Sequence, residues 1–403
     1  MKNISSITKK YCYGCSACFS VCHVSAITMV ENEEGFLQPK VNEEKCINCG
    51  RCLKTCPAEN RWTGFTELSD FFGYRNNDLD VILSSTSGGM FSVVVKLFPN
   101  ANVVGAVYKD GEICHVLTKE ATLIKKMRGS KYVQSNMRSV FSEIKDKLQN
   151  SEEVIFCGTS CQVHALYAYL HTLNIDTQKL ITLDLICHGV PSPGIYRDYI
   201  DFFQKKRNRT VISHSFRSKK FGWGIELGDV NYLQEFTIQN NKVVSDFYVN
   251  IWKSIFFSNL CIRESCYSCP YTTVNKPSDI TMGDFWHCRS ILPENCANAN
   301  GLSLAIAHTE KGKHILERIQ AIHIDESYCQ SIVNSQPQLR RPILEPKNRE
   351  QFWIDYHTHS FIELAKKYFR YTVKNRMLFG VWKVFIHLHF YKIANKISKR
   401  IFI

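Results

Sequence analysis

Eight cysteines near the N-terminus fall into two runs with the same spacing, C-x2-C-x2-C-x3-C. Thiolates at this spacing hold a 4Fe-4S cubane, with three ligands on one tight loop and the fourth directed to the other cluster. We therefore predict two cubanes that exchange single electrons. The first would be held by Cys12, Cys15, Cys18 and Cys56, and the second by Cys46, Cys49, Cys52 and Cys22.

Zinc is the alternative ligand for a cysteine-rich segment. It usually takes paired C-x2-C elements separated by a long spacer and closes a tetrahedron on four ligands, a pattern that two unbroken runs of four fit poorly. Pro57 directly after Cys56 matches the bacterial ferredoxin pattern. His23 after Cys22 departs from it, and could either hydrogen-bond a cluster sulfur or lie in solvent.

Three further loops carry cysteines that could converge at one sheet edge. Strand VIFCG runs into a helix at Cys161, where backbone N–H groups favour a thiolate, and strand LDLICHG ends in a cysteine and His188. A C-x2-C-P loop precedes strand SDITMGDFW. Spacing alone leaves three interpretations: a third cubane with Cys261 as substitute for any member, a structural zinc on the C-x2-C loop, or ordinary buried cysteines. The four principal candidates are Cys161, Cys187, Cys266 and Cys269.

Two segments have the composition of an anion-binding site. The small residues of SSTSGGMF, residues 84–91, precede an apolar helix and would let backbone N–H groups approach a phosphate. Downstream, RGSKY at residues 128–132 offers two cations, a glycine turn and an aromatic ring, which suit a pyrophosphate and a planar heterocycle. Both patterns also occur in proteins without ligands.

The composition indicates a globular protein of two or three domains, because 403 residues with 44% hydrophobic content can bury a substantial core. Thiolate ligands need a reducing compartment, so we predict a cytoplasmic protein. The N-terminal residues lack the apolar core of a signal peptide, and no run of 18 apolar residues predicts a membrane span.

The net charge of +13 is concentrated in residues 347–403, which hold twelve Lys or Arg against three Asp or Glu, a net charge of +9. Two interpretations of this tail stay open. It could lie on anionic lipid as an interfacial helix, making the protein membrane-peripheral, or pack on the protein body with a solvated basic edge. Nucleic-acid binding is not expected, because no recognition motif accompanies the charge. Apolar residues at helical spacing are Leu378, Val381, Trp382, Phe385 and Leu388.

Hydrophobic patterns predict an α+β fold. AITMV and GFLQPKV form a hairpin between the cysteine loops, and from about residue 80 strands alternate with helices, as in an α/β layer. The segments VISHSF, IELGDV and EFTIQ suggest an antiparallel insertion, and DFYVNIWKSIFFSNL a buried helix. We predict a dicluster ferredoxin module at residues 1–62, packed directly on a larger α/β body at 63–345, and a basic helical tail at 346–403.

The segments SSTSGGMF, RGSKYVQS, IFCGTSCQ, LICHGVPSP, SCYSCPY and SDITMGDFW, in this order, resemble the family of coenzyme F420 hydrogenase/dehydrogenase beta subunits that have an N-terminal ferredoxin module. The similarity covers about residues 10–310. It implies FAD beside an iron-sulfur cluster, and electron passage between clusters and a two-electron acceptor, in some members the deazaflavin F420. By that similarity, the C-x2-C-P cysteines with Cys161 and Cys187 are ligands of the cluster nearest the flavin. The similarity predicts cofactor binding by Ser87, Gly88, Gly89, Lys131 and Tyr132, and the RGSKY loop adds Arg128.

Two departures from the family pattern concern the flavin side. GTSCQ replaces GTPCQ, and DFWH, which ends at His287, replaces DFWG. Relatives of this kind often accompany surface-polysaccharide genes, which makes a sugar intermediate an expected eventual substrate.

We therefore predict an iron-sulfur flavoprotein oxidoreductase, with His188 and Asp284 as candidates for proton transfer. Its partner would be a redox protein or a small-molecule acceptor. One alternative is a non-catalytic relay that connects a donor to a separate enzyme. Another is a membrane-peripheral assembly factor that uses the basic tail.

Overall fold

The computed structural model describes residues 3–7, 9–60, 69–223, 225–286, 288–292 and 300–402. The predicted boundary between residues 62 and 63, and His287 of the DFWH motif, lie outside these residues. The strands of the described residues are β1 (Ile27–Glu31), β2 (Leu37–Val41), β3 (Asp70–Tyr74), β4 (Asn102–Lys109), β5 (Glu112–Thr118), β6 (Val154–Cys157), β7 (Leu180–Leu185), β8 (Val211–Ser215), β9 (Glu235–Ile238), β10 (Lys242–Val244), β11 (Ile280–Asp284), β12 (Ser303–Ala307) and β13 (Ile322–His323).

Helices connect most of these strands and form the C-terminal tail. In chain order they are α1 (Ala17–Ser20), α2 (Arg51–Lys54), α3 (Leu79–Ser84), α4 (Met90–Leu97), α5 (Ala121–Met127), α6 (Val140–Gln149), α7 (Ser160–Thr172), α8 (Pro193–Arg207), α9 (Phe247–Phe257), α10 (Glu310–Arg318), α11 (Glu326–Ser335), α12 (Arg349–Thr358), α13 (Phe361–Tyr368), α14 (Val373–His387) and α15 (Tyr391–Phe402).

The N-terminal module consists of the β1–β2 hairpin and two short helices, each of which follows a cysteine loop. The hairpin is antiparallel, with Ile27 opposite Val41, as the sequence predicts. Its turn contains Gly35 at a φ of +73°, and a Cβ there would lie 2.7 Å from the Cα of Gly194. The module therefore packs directly on the start of α8, and only a glycine allows the two backbones to come this close.

The body is built on an eight-stranded mixed sheet in the order β13-β3-β12-β11-β7-β6-β4-β5. The four central strands, β4, β6, β7 and β11, are parallel to their neighbours within that group, and the flanking pairs are antiparallel. Parallel pairs need crossover connections, which here include α6 before β6 and α7 after it. The predicted α/β body is confirmed, and the carboxyl ends of β6, β7 and β11 lie side by side.

The antiparallel insertion is present, but one of its segments differs from the prediction. The small sheet has the order β10-β9-β8, with the third strand at residues 242–244. IELGDV instead lies within a 3-10 segment at Ile225–Tyr232 that kinks at Gly228, where φ is +49°. A Cβ at Gly228 would lie 2.6 Å from the side chain of Asn395, so close packing on α15 decides this conformation.

The C-terminal tail folds back on the body. Trp382, Ile386 and Phe402 are buried in an apolar cluster that also contains Phe247 of α9. Lys253 of α9 donates a hydrogen bond to Oγ of Ser398, at 3.0 Å. The structure thus favours the interpretation in which the tail packs on the body. Within the part of the chain that the structure describes, no helix has both the length and the apolar character needed to cross a bilayer.

The tail also contacts the N-terminal module. Arg349, at the start of α12, donates to a carboxylate oxygen of Glu34 in the hairpin turn, at 2.5 Å. Burial raises the pKa of Glu34, and the arginine partly offsets that rise. On the opposite side of the module, the hydroxyls of Thr55 and Thr172 lie 3.2 Å apart. The module is therefore fixed to the body at several points.

Candidate redox centre

The four cysteines assigned to the first cubane surround one cavity of about 410 Å³. Cys15 and Cys18 are buried, and burial is the main cause that raises their pKa, with repulsion from neighbouring thiolates adding to it. Cys56 contributes to that repulsion on both, so the fourth cysteine of the second run lies beside the first run. Buried thiols this close carry negative charge only beside a cationic core, which is the donor chemistry that an iron-sulfur cluster satisfies.

Of the four cysteines assigned to the second cubane, Cys52 is buried and the other three are at least partly exposed. Cys49 is exposed and Cys46 is half-buried. The side-chain amide of Asn3 donates to Sγ of Cys46 at 3.6 Å. Sγ of Cys22 accepts the backbone N–H of Ala26 at 3.3 Å. Since Cys49 is open to solvent, this is the side at which an external redox partner could approach.

The third group of cysteines comes from three elements of the body. Cys161 is the second residue of α7, whose first turn is closed by a capping box between Thr159 and Gln162. Cys187 follows β7, and the 3-10 helix Glu264–Ser268 carries Cys266, with Cys269 just after it. Burial raises the pKa of Cys266, and the thiolates of the other three add to that rise. The fold therefore brings the four predicted ligands together.

Cys261 lies outside this group. It is fully buried in the apolar core that contains Trp252 and Phe352. The charges that act on its pKa, after the dominant effect of burial, are those of Arg349 and Glu34.

Among the described residues, no three His, Cys, Asp or Glu side chains have the close geometry of a single-ion site. A cubane separates its thiolates more widely than one ion does.

A second cavity of about 550 Å³ adjoins the third cysteine group. This volume is typical of sites for cofactors and small molecules. Its lining includes Cys161, Cys187 and Cys266, together with His188 and Asp284. It also includes most of the predicted cofactor positions, namely Ser87, Gly89, Arg128, Lys131 and Tyr132. The residues present therefore fit a planar cofactor held beside a cluster.

The loop at residues 84–91 is fixed from behind by the sheet. Oγ of Ser87 donates to the carbonyl of Leu302 at 2.6 Å, and the N–H of Gly88 donates to Oγ of Ser303 at 2.9 Å. Gly88 does not line the cavity, and a Cβ there would lie 2.2 Å from the carbonyl oxygen of Tyr74. Gly88 is thus required because the neighbouring backbone leaves no space for a side chain. Gly89 has a φ of +83° and starts α4.

The two predicted cations are already engaged with protein groups. Nζ of Lys131 donates to the carbonyls of residues 126, 127 and 128, each at 2.8 Å, and so caps the C-terminus of α5. Burial lowers the pKa of Lys131 to about 7. Arg128 donates to Oγ of Ser92 at 2.9 Å and to Oγ of Ser84 at 3.0 Å. Both side chains therefore shape the cavity wall as well as its charge.

The two proton-transfer candidates are also hydrogen-bonded. Nε2 of His188 lies 2.9 Å from Oδ1 of Asn259, and its Nδ1 lies 3.2 Å from Nε2 of Gln338. Burial lowers the pKa of His188, so the neutral imidazole is favoured. Asp284 accepts from Arg217 at 2.5 Å and from the Trp223 indole at 3.0 Å. Because each carboxylate oxygen of Asp284 already accepts a hydrogen bond, the geometry favours a role in positioning Arg217 over a role in proton transfer.

Two residues that the sequence did not single out connect the cavities. Tyr13 lines both. The Arg263 guanidinium donates to the carbonyl of Cys12 at 2.7 Å and to its Sγ at 3.7 Å, and to Oε1 of Gln134 at 2.9 Å. The same charge lowers the pKa of Cys161, against the larger effect of burial. A buried cation thus lies between the first and third cysteine groups. The only sequence signal was an arginine three residues before Cys266.

Comparison with protein families agrees with this arrangement. Residues 151–327 match the family that comprises the C-terminal part of coenzyme F420 hydrogenase/dehydrogenase beta subunits. Residues 11–60 match the 4Fe-4S dicluster domain. The resemblance predicted from the sequence motifs is confirmed.

Among curated proteins, one component of the F(420)H(2) dehydrogenase of Methanosarcina mazei, its F subunit, is 24% identical over 238 residues, which cover 55% of this chain and 66% of that protein. An uncharacterized polyferredoxin-like protein of Methanocaldococcus jannaschii is 32% identical over 72 residues, 16% of this chain and 41% of that protein. The chain thus spans less than two thirds of these relatives. A chain of the F420-reducing NiFe hydrogenase complex from Methanosarcina barkeri is 14% identical, with a TM-score of 0.43, over 73% of this chain and 94% of that one.

Proposed function

We propose that this chain, whose residues 151–327 belong to the family of coenzyme F420 hydrogenase/dehydrogenase beta subunits, is an iron-sulfur flavoprotein oxidoreductase. Three cubanes would pass single electrons to or from FAD, which couples them to a two-electron acceptor. Deazaflavin F420 is one candidate acceptor. The observation that carries the proposal is the 550 Å³ cavity, whose lining combines three of the clustered cysteines with the small-residue and RGSKY loops.

The order of the centres follows from the burial of their ligands. The second cubane would lie near the surface at Cys49, and the first deeper, around Cys15 and Cys18. Tyr13 borders both the first-cubane cavity and the large cavity, so the two cavities are neighbours. Electrons would therefore pass between the surface and the body through the module, in either direction. In this arrangement the protein's own residues hold the centres apart, exclude water and set the local charge.

Anaerobic reconstitution tests this function. The purified chain should contain about twelve irons, four for each cubane, and a flavin that mass spectrometry of the extract identifies as FAD. Cys161→Ser should lose about a third of the iron. Cys329→Ser is the matched control, because this half-buried thiol lies on α11 outside all three groups. A flavin-free chain that keeps full electron-transfer activity would contradict the proposal.

The relay alternative differs in one measurable respect. A relay would exchange electrons with a protein partner but would reduce no small molecule by itself. We expect the isolated, reconstituted chain to reduce deazaflavin F420 or an artificial two-electron acceptor. The acceptor cavity supports the enzyme, because a relay needs no cavity of this size beside its last cluster. Assignments to surface-polysaccharide metabolism and to the cytoplasm remain predictions that rest on the resemblance and on the thiolate ligands.

We propose, as a second function, that the tail contacts an anionic membrane surface. The outward face of α14 is apolar, with Met377 at 69% and Val384 at 56% exposure, and Val373 and Val381 are also exposed. Exposed Lys374 borders this face on α14, and α15 carries further exposed basic residues, including Lys396. An apolar stripe with a basic border complements the headgroup region of an anionic bilayer.

Vesicle flotation tests the membrane contact. The chain should float with vesicles that contain phosphatidylserine and not with phosphatidylcholine alone. Val384→Glu should abolish flotation, whereas Leu79→Glu, an equally exposed leucine on α3, should not. Equal flotation of both variants, or none of the unmodified chain, would contradict the contact and leave a protein partner for this face.

A further inference from the structure

The large cavity contains a buried arginine that has no role in the proposed function so far. Arg217 follows β8, and its side chain is 4% exposed. It lines the cavity together with Tyr132, Asp284 and Trp286. Burying a cation is costly unless charge and hydrogen bonds compensate it. The position of each guanidinium nitrogen therefore indicates what the site is built to hold.

Two of the three guanidinium nitrogens have protein partners. Nε donates to the carbonyl of Asn231 at 3.1 Å, and Nη1 donates to Oδ2 of Asp284 at 2.5 Å. The other oxygen of Asp284 accepts the Trp223 indole, so the carboxylate fixes the guanidinium in place. Nη2 is buried and has no partner of normal hydrogen-bond geometry among the described residues, although the Tyr132 hydroxyl also interacts with the guanidinium. A buried donor without an acceptor is destabilising in itself, which is typical of a position that a ligand completes.

The surroundings of this nitrogen are aromatic. The guanidinium carbon lies 4.9 Å from the ring centroid of Tyr232 and 5.6 Å from that of Trp286. Trp286 is itself stacked on Trp223, with centroids 5.2 Å apart and an angle of 5° between the planes. The neighbouring cation Lys219 is fully occupied by the carbonyls of Ile82, Ser87 and Asn300. Arg217 thus presents an incompletely bonded donor between flat aromatic rings.

We propose that Arg217 binds an oxyanion of the small-molecule electron acceptor or donor, a carboxylate or a phosphate on a planar molecule that lies against Trp286. This inference rests on the proposed function, because it takes the large cavity as the site of electron exchange. Nη1 is held by Asp284, so the ligand oxygen would receive one hydrogen bond from Nη2. Arg217 would then select substrates by their negative charge, and Trp286 would select planar ones.

Calorimetry with benzoate, benzamide and inorganic phosphate tests the site on the purified full chain, whatever its flavin content. Benzoate should bind at least tenfold more tightly than benzamide, which has the same shape without the charge. Arg217→Gln should weaken benzoate binding at least tenfold and leave benzamide unchanged, and Arg217→Lys should recover part of the loss. Arg207→Gln, at an exposed ion pair with Asp246, is the control. Competition by phosphate would support an oxyanion site that is not restricted to carboxylates.

Three results would overturn the proposal. The first is equal binding of benzoate and benzamide to the unmodified chain, and the second is unchanged benzoate binding in Arg217→Gln. The third is loss of benzoate binding in direct proportion to added FAD, which would assign Arg217 to the flavin itself. If Arg217→Gln does not fold, Trp286→Leu gives the second measurement, because benzoate affinity should still fall while the cation remains. Failure to find flavin would refute the proposed function and still leave oxyanion binding measurable.

Discussion

Replacement of Arg263 should lower the reduction potential of the first cubane. The guanidinium nitrogen Nη2 lies 3.7 Å from Sγ of Cys12, and the side chain is almost fully buried. The charge added on reduction spreads over a core whose centre we take to be about twice as far away. At that separation and an effective dielectric constant of about 20, two unit charges interact by about 2 kcal/mol. For a one-electron couple this corresponds to about 90 mV.

The measurement is a redox titration of Arg263→Gln followed by electron paramagnetic resonance. We expect the potential of one cluster to fall by about 90 mV, because loss of a cation disfavours the reduced, more negative cluster. Arg263→Lys should keep most of the potential. Arg197→Gln is the matched control, since this exposed arginine pairs with Glu31 at the surface of the module. Iron content must be equal in all variants, and equal potentials for Arg263→Gln and Arg197→Gln would refute the reasoning.

Three further predictions follow from the packing. Cys161→Ser should lose one cluster signal, whereas Cys261→Ser should keep every cluster, because Cys261 lies in the apolar core. Iron analysis and electron paramagnetic resonance distinguish the two variants. Burial lowers the pKa of His214 to about 3, so the unfolded chain binds more protons than the folded chain below pH 6.5. The free energy of unfolding should therefore fall by about 1.4 kcal/mol at pH 5.5 from this residue alone. The acid-induced drop in the unfolding midpoint should be smaller in His214→Gln, and an unchanged drop would contradict the assignment. Gly88→Ala should destabilise the cofactor loop and reduce flavin content, whereas Gly380→Ala, with open space around it, should not.

Local patterns in the sequence were sufficient for much of the fold. The hairpin, α7 and the parallel strands depend on short-range alternation and on residues next to them in the chain, so they could be predicted. IELGDV could not, because its conformation depends on contact between Gly228 and Asn395, which are far apart in sequence. Gly228 has no side chain that could fix a strand register against that contact.

The same distinction applies to the site. Cysteine spacing is local, and the two N-terminal runs were evident from it. Tyr13 and Arg263 become functional candidates only because residues 12–14 and 263 meet in the folded chain. Lys131 carried the expected charge, yet its ammonium group caps α5, since three backbone carbonyls lie within reach. A sequence pattern identifies a charged side chain, but the groups that hydrogen-bond to it are determined by the fold.

The ion pair between Glu34 and Arg349 joins the first tenth of the chain to the helix that begins its last segment. An excised module would lose this clamp together with the Arg263 contacts, so it would not behave as an independent ferredoxin. Any partner that pulls on α12 would also strain the hairpin beside the first cubane. Docking on the C-terminal tail could thereby alter how readily electrons enter the N-terminal module.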